Sequence, residues 1–106
     1  MPKRRAEDEG DTSVVTEQKS RTEKPRLFRV ILHNDDYTTQ EFVIRVLVEV
    51  FNKPEAEAAD LMLQVHTRGA CLAGVYTCEI AETKVARVQA MADAAEFPFL
   101  STMEPE

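Results

Sequence analysis

Two places in this sequence hold the side chains best suited to chemistry, the run Asn34-Asp35-Asp36 and the single His66. Adjacent carboxylates repel one another unless a positive charge lies nearby. An Asp pair flanked by Asn and faced by a histidine can therefore line a pocket for a cation. The same run is also ordinary turn chemistry, because Asn and Asp tolerate tight backbone geometry and bond to nearby amides. His66 has a structural reading as well, as a partner for the negative end of a helix. Two carboxylates without regular ligand spacing make a poor metal site, and no metal or other cofactor is expected. Nucleophilic catalysis has less still, since no Ser or Cys stands beside a plausible base and no glycine-rich phosphate loop is present. The residue types leave a turn and a cation-binding pocket open, and neither is an enzyme.

The elements that must position these residues follow from periodicity and caps. Leu27 to Leu32 is short, β-branched and almost all apolar, which predicts a buried strand. His33 to Tyr37 is a polar turn, with no role assigned to His33. Thr38 and Glu41 have capping-box spacing, so a helix is expected from Thr39, with Phe42, Val43, Val46, Leu47 and Val50 as its apolar stripe. Pro54 suits the first turn of a second helix, which buries Ala58, Leu61, Met62 and Val65 and stops at Gly69. Ala70 to Tyr76 reads as a second strand in which Gly74 marks a bulge or a close backbone approach. Thr77 can cap a third helix with Ala81, Val85, Val88, Ala92 and Ala95 on one side. Pro98 ends it, and Phe99 to Met103 is a third strand. The expected fold is α+β, a two-layer β-α-α-β-α-β domain with three helices on a small three-stranded sheet.

Composition divides the chain. Residues 1–26 carry seven basic and six acidic side chains with only four apolar residues, and predict a disordered N-terminal tail. Residues 27–106 carry six basic and thirteen acidic side chains, and 42 of these 80 residues are apolar, as in one small domain with a core. Its net charge of −7 lacks the clustered Lys and Arg of a phosphate-binding surface, so no nucleic acid is expected as partner. No apolar run approaches the roughly 18 residues of a membrane span. An acidic, polar stretch follows Met1 to Arg5 where a signal peptide would be apolar. Cys71 and Cys78 make no disulfide framework and fall on opposite faces of one expected strand. A soluble, cytoplasmic monomer is expected.

At this point the residues resemble a family. Val30-Ile31-Leu32-His33-Asn34-Asp35-Asp36-Tyr37-Thr38, then Glu41-Phe42-Val43, is similar to the opening of ClpS, the adaptor of bacterial Clp AAA+ proteases. The resemblance continues through Met62 to His66, Gly69, Gly74 to Thr77 and Ala81 to Ala86, and ends in Pro98 to Glu104. It implies the fold read above and a binding function without catalysis. ClpS-like domains capture N-degrons, substrates with a large hydrophobic first residue such as Leu, Phe, Tyr or Trp. They deliver them to a ClpA-type unfoldase for degradation by ClpP. Carried onto this chain, Asn34, Asp36 and His66 would hold the substrate α-amino group, with Asp35 beside them. Thr38, Gln40, Val43, Met62, Val65 and Phe99 would wall the side-chain pocket. Glu79, Glu82 and Lys84 would face the unfoldase N-terminal domain, and the tail would be the part that the unfoldase engages.

Two positions depart from the family pattern. Thr39-Gln40 stands where Pro-Met is usual, and Phe99 where Leu is favoured. Gln40 carries an amide that resists burial without partners, and a larger residue at 99 would narrow the pocket, so a paralogue with a narrower preference is expected. The alternative function is a modulator that docks on the unfoldase and blocks or redirects it without using the pocket. Residue by residue, Met62 and the two cysteines also read simply as core, and Lys84 as a solvated helix face.

Overall fold

The computed structural model describes residues 24–106. The tail expected over residues 1–26 lies outside the described residues up to 23, and residues 24–26 run without regular structure into the first strand. The element order is β1 (Leu27–His33), α1 (Gln40–Glu49), α2 (Glu55–Arg68), β2 (Ala70–Thr77), α3 (Cys78–Ala95) and β3 (Leu100–Pro105). The strands form one antiparallel sheet with β1 in the centre, β2 on one side and β3 on the other. This is the α+β arrangement of three helices and three strands that the residue pattern predicts.

Alternation along β1 places Val30 and Leu32 in the core at 0% exposure, while Arg29 and Ile31 face the other way. The strand thus turns one face to the helices, as the two-layer reading expects, and Ile31 is half-buried on the other. All three helices lie over one side of the sheet, and the other side is left to Arg29, Ile31, Leu72, Leu100 and Thr102. Arg29 bonds Glu104 across the outer face at 2.9 Å. The ladder between β1 and β2 shifts register between Val30 and Ile31, which pair with Gly74 and Leu72 and leave Ala73 as the extra, buried residue. This is the bulge that Gly74 predicts, and the close approach is present as well. A Cβ at Gly74 would collide with the Tyr76 ring.

The helix ends depart from the sequence reading in detail. Thr39, not Thr38, caps α1, its hydroxyl accepting from the Phe42 amide at 3.2 Å. Pro54 is the cap residue of α2 and not its first turn, and its carbonyl accepts from the Ala58 amide at 2.8 Å. Gly69 closes α2 in the left-handed region at φ 91°, with its amide on the Val65 carbonyl. Cys78 opens α3 and is exposed, so it does not share a strand with Cys71; both thiols are free. Burial pushes the Cys71 thiol up to about 11, which keeps it protonated and inert.

Two contacts fix the helices to each other. Phe42 on α1 meets Phe97 and Phe99 edge-on, with ring centroids 5.1 and 5.9 Å apart, and so ties the entry of β3 to α1. Lys84 on α3 turns inward instead of facing solvent. Its ammonium donates to the Val50 carbonyl at 2.7 Å and lies 5.7 Å from the Phe51 ring and 5.1 Å from that of Tyr76. It thereby satisfies an end carbonyl of α1 from a distant helix. Lys84→Ala is expected to destabilise the domain by about 1–2 kcal/mol, a drop of at least roughly 4 °C in melting temperature. Thermal unfolding followed by circular dichroism checks this, and Lys84→Met, which keeps the stem, should lose part of it.

Candidate functional site

The loop between β1 and α1 is seated by a backbone bond. The Asn34 amide donates to the Gly69 carbonyl at 2.9 Å, one step past the His33–Ala70 pair that ends the ladder. This bond sets the Asn-Asp-Asp run beside the last turn of α2, where His66 stands. Between them opens a cavity of about 290 Å³, at the small end of the range for ligand sites.

Its lining is split by chemistry. Asn34, Asp35, Asp36, Thr38, Thr39, Gln40 and His66 supply polar groups, and Val43, Met62 and Val65 supply apolar wall. The helical spacing of Met62, Val65 and His66 on α2 puts three residues on the same wall, two of them buried and one exposed. Val43, one turn into α1, is 5% exposed and closes the apolar side.

The two carboxylates differ sharply. Asp35 Oδ1 accepts from the amides of Tyr37 and Thr38, each at 2.8 Å, and its Oδ2 accepts from the Thr38 hydroxyl at 2.7 Å. Partial burial pushes its carboxyl up, but the Thr38 hydroxyl and the amides of Thr38 and Tyr37 outweigh it and hold the group below the usual carboxylate range. The same bonds turn the Thr38 side chain toward Asp35, and Thr39 takes the capping position at the start of α1. Among the described residues, the side chains of Asn34, Asp36 and His66 take no hydrogen-bond or ion-pair partner. Three polar groups thus face one small cavity with their bonding capacity open, and together they suit a compact cationic donor.

Of the residues singled out from the sequence, Asn34, Asp35, Asp36, Thr38, Gln40, Val43, Met62, Val65 and His66 come together around this cavity. Phe99 does not. It is 2% exposed and packs behind the site against Phe42, so residue 99 reaches the pocket only through the α1 side chains in front of it. Thr39 lines the cavity and was missed, because the capping pattern pointed to its neighbour. Glu79 and Glu82 are exposed on α3 and Lys84 is half-buried there; none of the three lines the cavity. Among the described residues, no helix is long and apolar enough to cross a membrane.

Comparisons with known proteins show the family and the fold. The family model described as ATP-dependent Clp protease adaptor protein ClpS matches residues 23–102. A protein of that name from Desulfatibacillum aliphaticivorans is 58% identical over 100 residues, covering 94% of this chain and 94% of its own. The Myxococcus xanthus protein of the same name is 52% identical over 100 residues, covering 92% and 94%. Among solved structures, Agrobacterium tumefaciens ClpS2 bound to L-phenylalaninamide superposes with a TM-score of 0.76 at 40% identity, covering 78% of this chain and all of that one. With residues 23–102 matched by the family model and 78% of the chain matched in fold, this chain belongs to the ClpS family of ATP-dependent Clp protease adaptors, binding proteins and not enzymes.

Proposed function

We propose that this adaptor binds the first residue of N-degron substrates by its free α-amino group and large hydrophobic side chain. It then delivers them to a ClpA-type AAA+ unfoldase for degradation by ClpP. The observation that carries this reading is the split lining of the cavity, polar at Asn34, Asp36 and His66 and apolar at Val43, Met62 and Val65. L-phenylalaninamide, the molecule held by the Agrobacterium relative, has the same two halves. It offers an α-ammonium and a benzyl side chain, with an amide where a peptide chain would continue. An α-amino group has a reference pKa near 8 and is mostly cationic at pH 7, so it suits the unpaired Asp36 carboxylate. Asn34 and His66 can accept its remaining hydrogens.

An internal residue or an acetylated terminus lacks both the charge and the donors, and would leave Asp36 desolvated and unpaired. That makes the polar wall a filter for chain ends, while the apolar wall sorts the side chain that follows. Exposed Glu79 and Glu82 are the surface proposed to meet the unfoldase N-terminal domain, and half-buried Lys84 borders it through its stem, since its ammonium is turned to the Val50 carbonyl. Residues 1–26 are proposed as the segment that it engages.

Peptides beginning with Phe or Leu should bind in the micromolar range, and N-acetylation should weaken them at least roughly 100-fold, the loss of two charge-assisted bonds. Calorimetric titration of each pair checks this. Equal binding of acetylated peptides would leave only a modulator that docks without the pocket. Asp36→Ala should abolish binding of the free-amine peptide and leave the melting curve unchanged, because its side chain bonds nothing in the fold. Gln40 opens α1 at the cavity, where its amide disfavours apolar contact. Gln40→Met is expected to widen the range of first residues accepted among Leu, Phe, Tyr and Trp; identical affinities in parent and variant would overturn that role.

A further inference from the structure

We propose that Asp35 is a positioning residue of this pocket: its carboxylate locks the turn that presents Asn34 and Asp36, and it is not itself a ligand of the substrate ammonium. The inference rests on the peptide-binding reading above and concerns how that site is held. A carboxylate offers about four lone-pair positions. Asp35 uses three of them on its own turn, two for the amides of Tyr37 and Thr38 and one for the Thr38 hydroxyl. The loop is therefore pinned on both sides of Asp36. Upstream, the Asn34 amide is held on the Gly69 carbonyl. Downstream, Asp35 holds residues 37 and 38, and Thr39 then caps α1. Between these fixed points, among the described residues, the side chains of Asn34 and Asp36 take no partner at the cavity, and Tyr37 points its ring into solvent. A turn without the lock would have to be ordered by the ligand, and that cost would appear as weaker binding.

Charge and shape can be separated because Asn can stand in for Asp in this turn. In Asp35→Asn the amide oxygen still accepts from both backbone amides. The new amide group donates to the Thr38 hydroxyl, which accepts instead of donating. All three bonds survive while the charge is gone. A direct ammonium partner has no such substitute.

The test is calorimetric titration of the full-length chain and its variants with a peptide beginning with Phe. Asp35→Asn should bind within about threefold of the parent, and Asp35→Ala at least roughly tenfold more weakly, because it removes the acceptor. Thr38→Val should weaken binding in the same direction as Asp35→Ala. Asp35→Asn falling as far as Asp35→Ala overturns the proposal in favour of a direct charge contact. Asp35→Ala or Thr38→Val binding like the parent overturns it as well. If Asp35→Ala does not fold, Thr38→Val and Asp35→Asn decide alone. Failure of the peptide-binding reading itself is distinguishable, since it would show in the parent as equal affinity for the free and N-acetylated peptide.

Discussion

The site depends on one backbone hydrogen bond, from the Asn34 amide to the Gly69 carbonyl. It is the last rung between β1 and the chain that feeds β2, and it can form only because Gly69 takes a left-handed conformation to end α2 and turn back. A residue with a Cβ would find space there but would be strained in that backbone region. The consequence is that two segments 32 residues apart, Asn34 and His66, share one cavity wall. Neither carries a pocket by itself. The pairing is fixed by the sheet register, so the binding geometry inherits the rigidity of the core strands beneath it.

Within the loop, polar groups divide into those that build and those left open. Asp35 bonds the Thr38 hydroxyl and two amides, whereas Asp36, inside the same turn, keeps a carboxylate with no partner among the described residues. An acidic pair that looks redundant in the sequence therefore holds two different jobs. The division avoids the repulsion of two free charges in one small cavity, because one of them is already stabilised by three donors. It also means that the open charge waits at the cavity rim, exposed and hydrated, and need not be buried until a cation arrives to pair with it.

Away from the pocket, the domain uses its few large side chains as ties. Phe42 joins α1 to the entry of β3 through two edge-on contacts, and Lys84 reaches from α3 to the Val50 carbonyl at the end of α1, near two aromatic rings. Phe42 stands next to Val43, which walls the cavity, whereas Lys84 holds the opposite end of the helix. With all three helices on one side, the sheet needs only one set of inward residues, Val30, Leu32, Cys71, Ala73 and Ser101, to complete the core.

The sequence by itself determined the element order, the apolar stripes of the helices, the Gly69 stop, the Gly74 bulge and the membership of nine residues in one pocket. These are legible because they depend on local periodicity, on backbone conformations that few residues adopt, or on a family pattern dense enough to align. Tertiary structure alone decided the rest. Which residues of β1 face the helices could not be read from Leu27 to Leu32, since an apolar residue such as Ile31 is tolerated on an open sheet face. The cap at Thr39 could not be read from Thr38 and Glu41, because either of two adjacent threonines can cap and only the fold turns the Thr38 side chain to Asp35. Phe99 moved behind the wall and Lys84 turned inward for the same reason. Which of several partners a side chain takes is a competition among groups far apart in the chain, and only the folded backbone brings those competitors within reach.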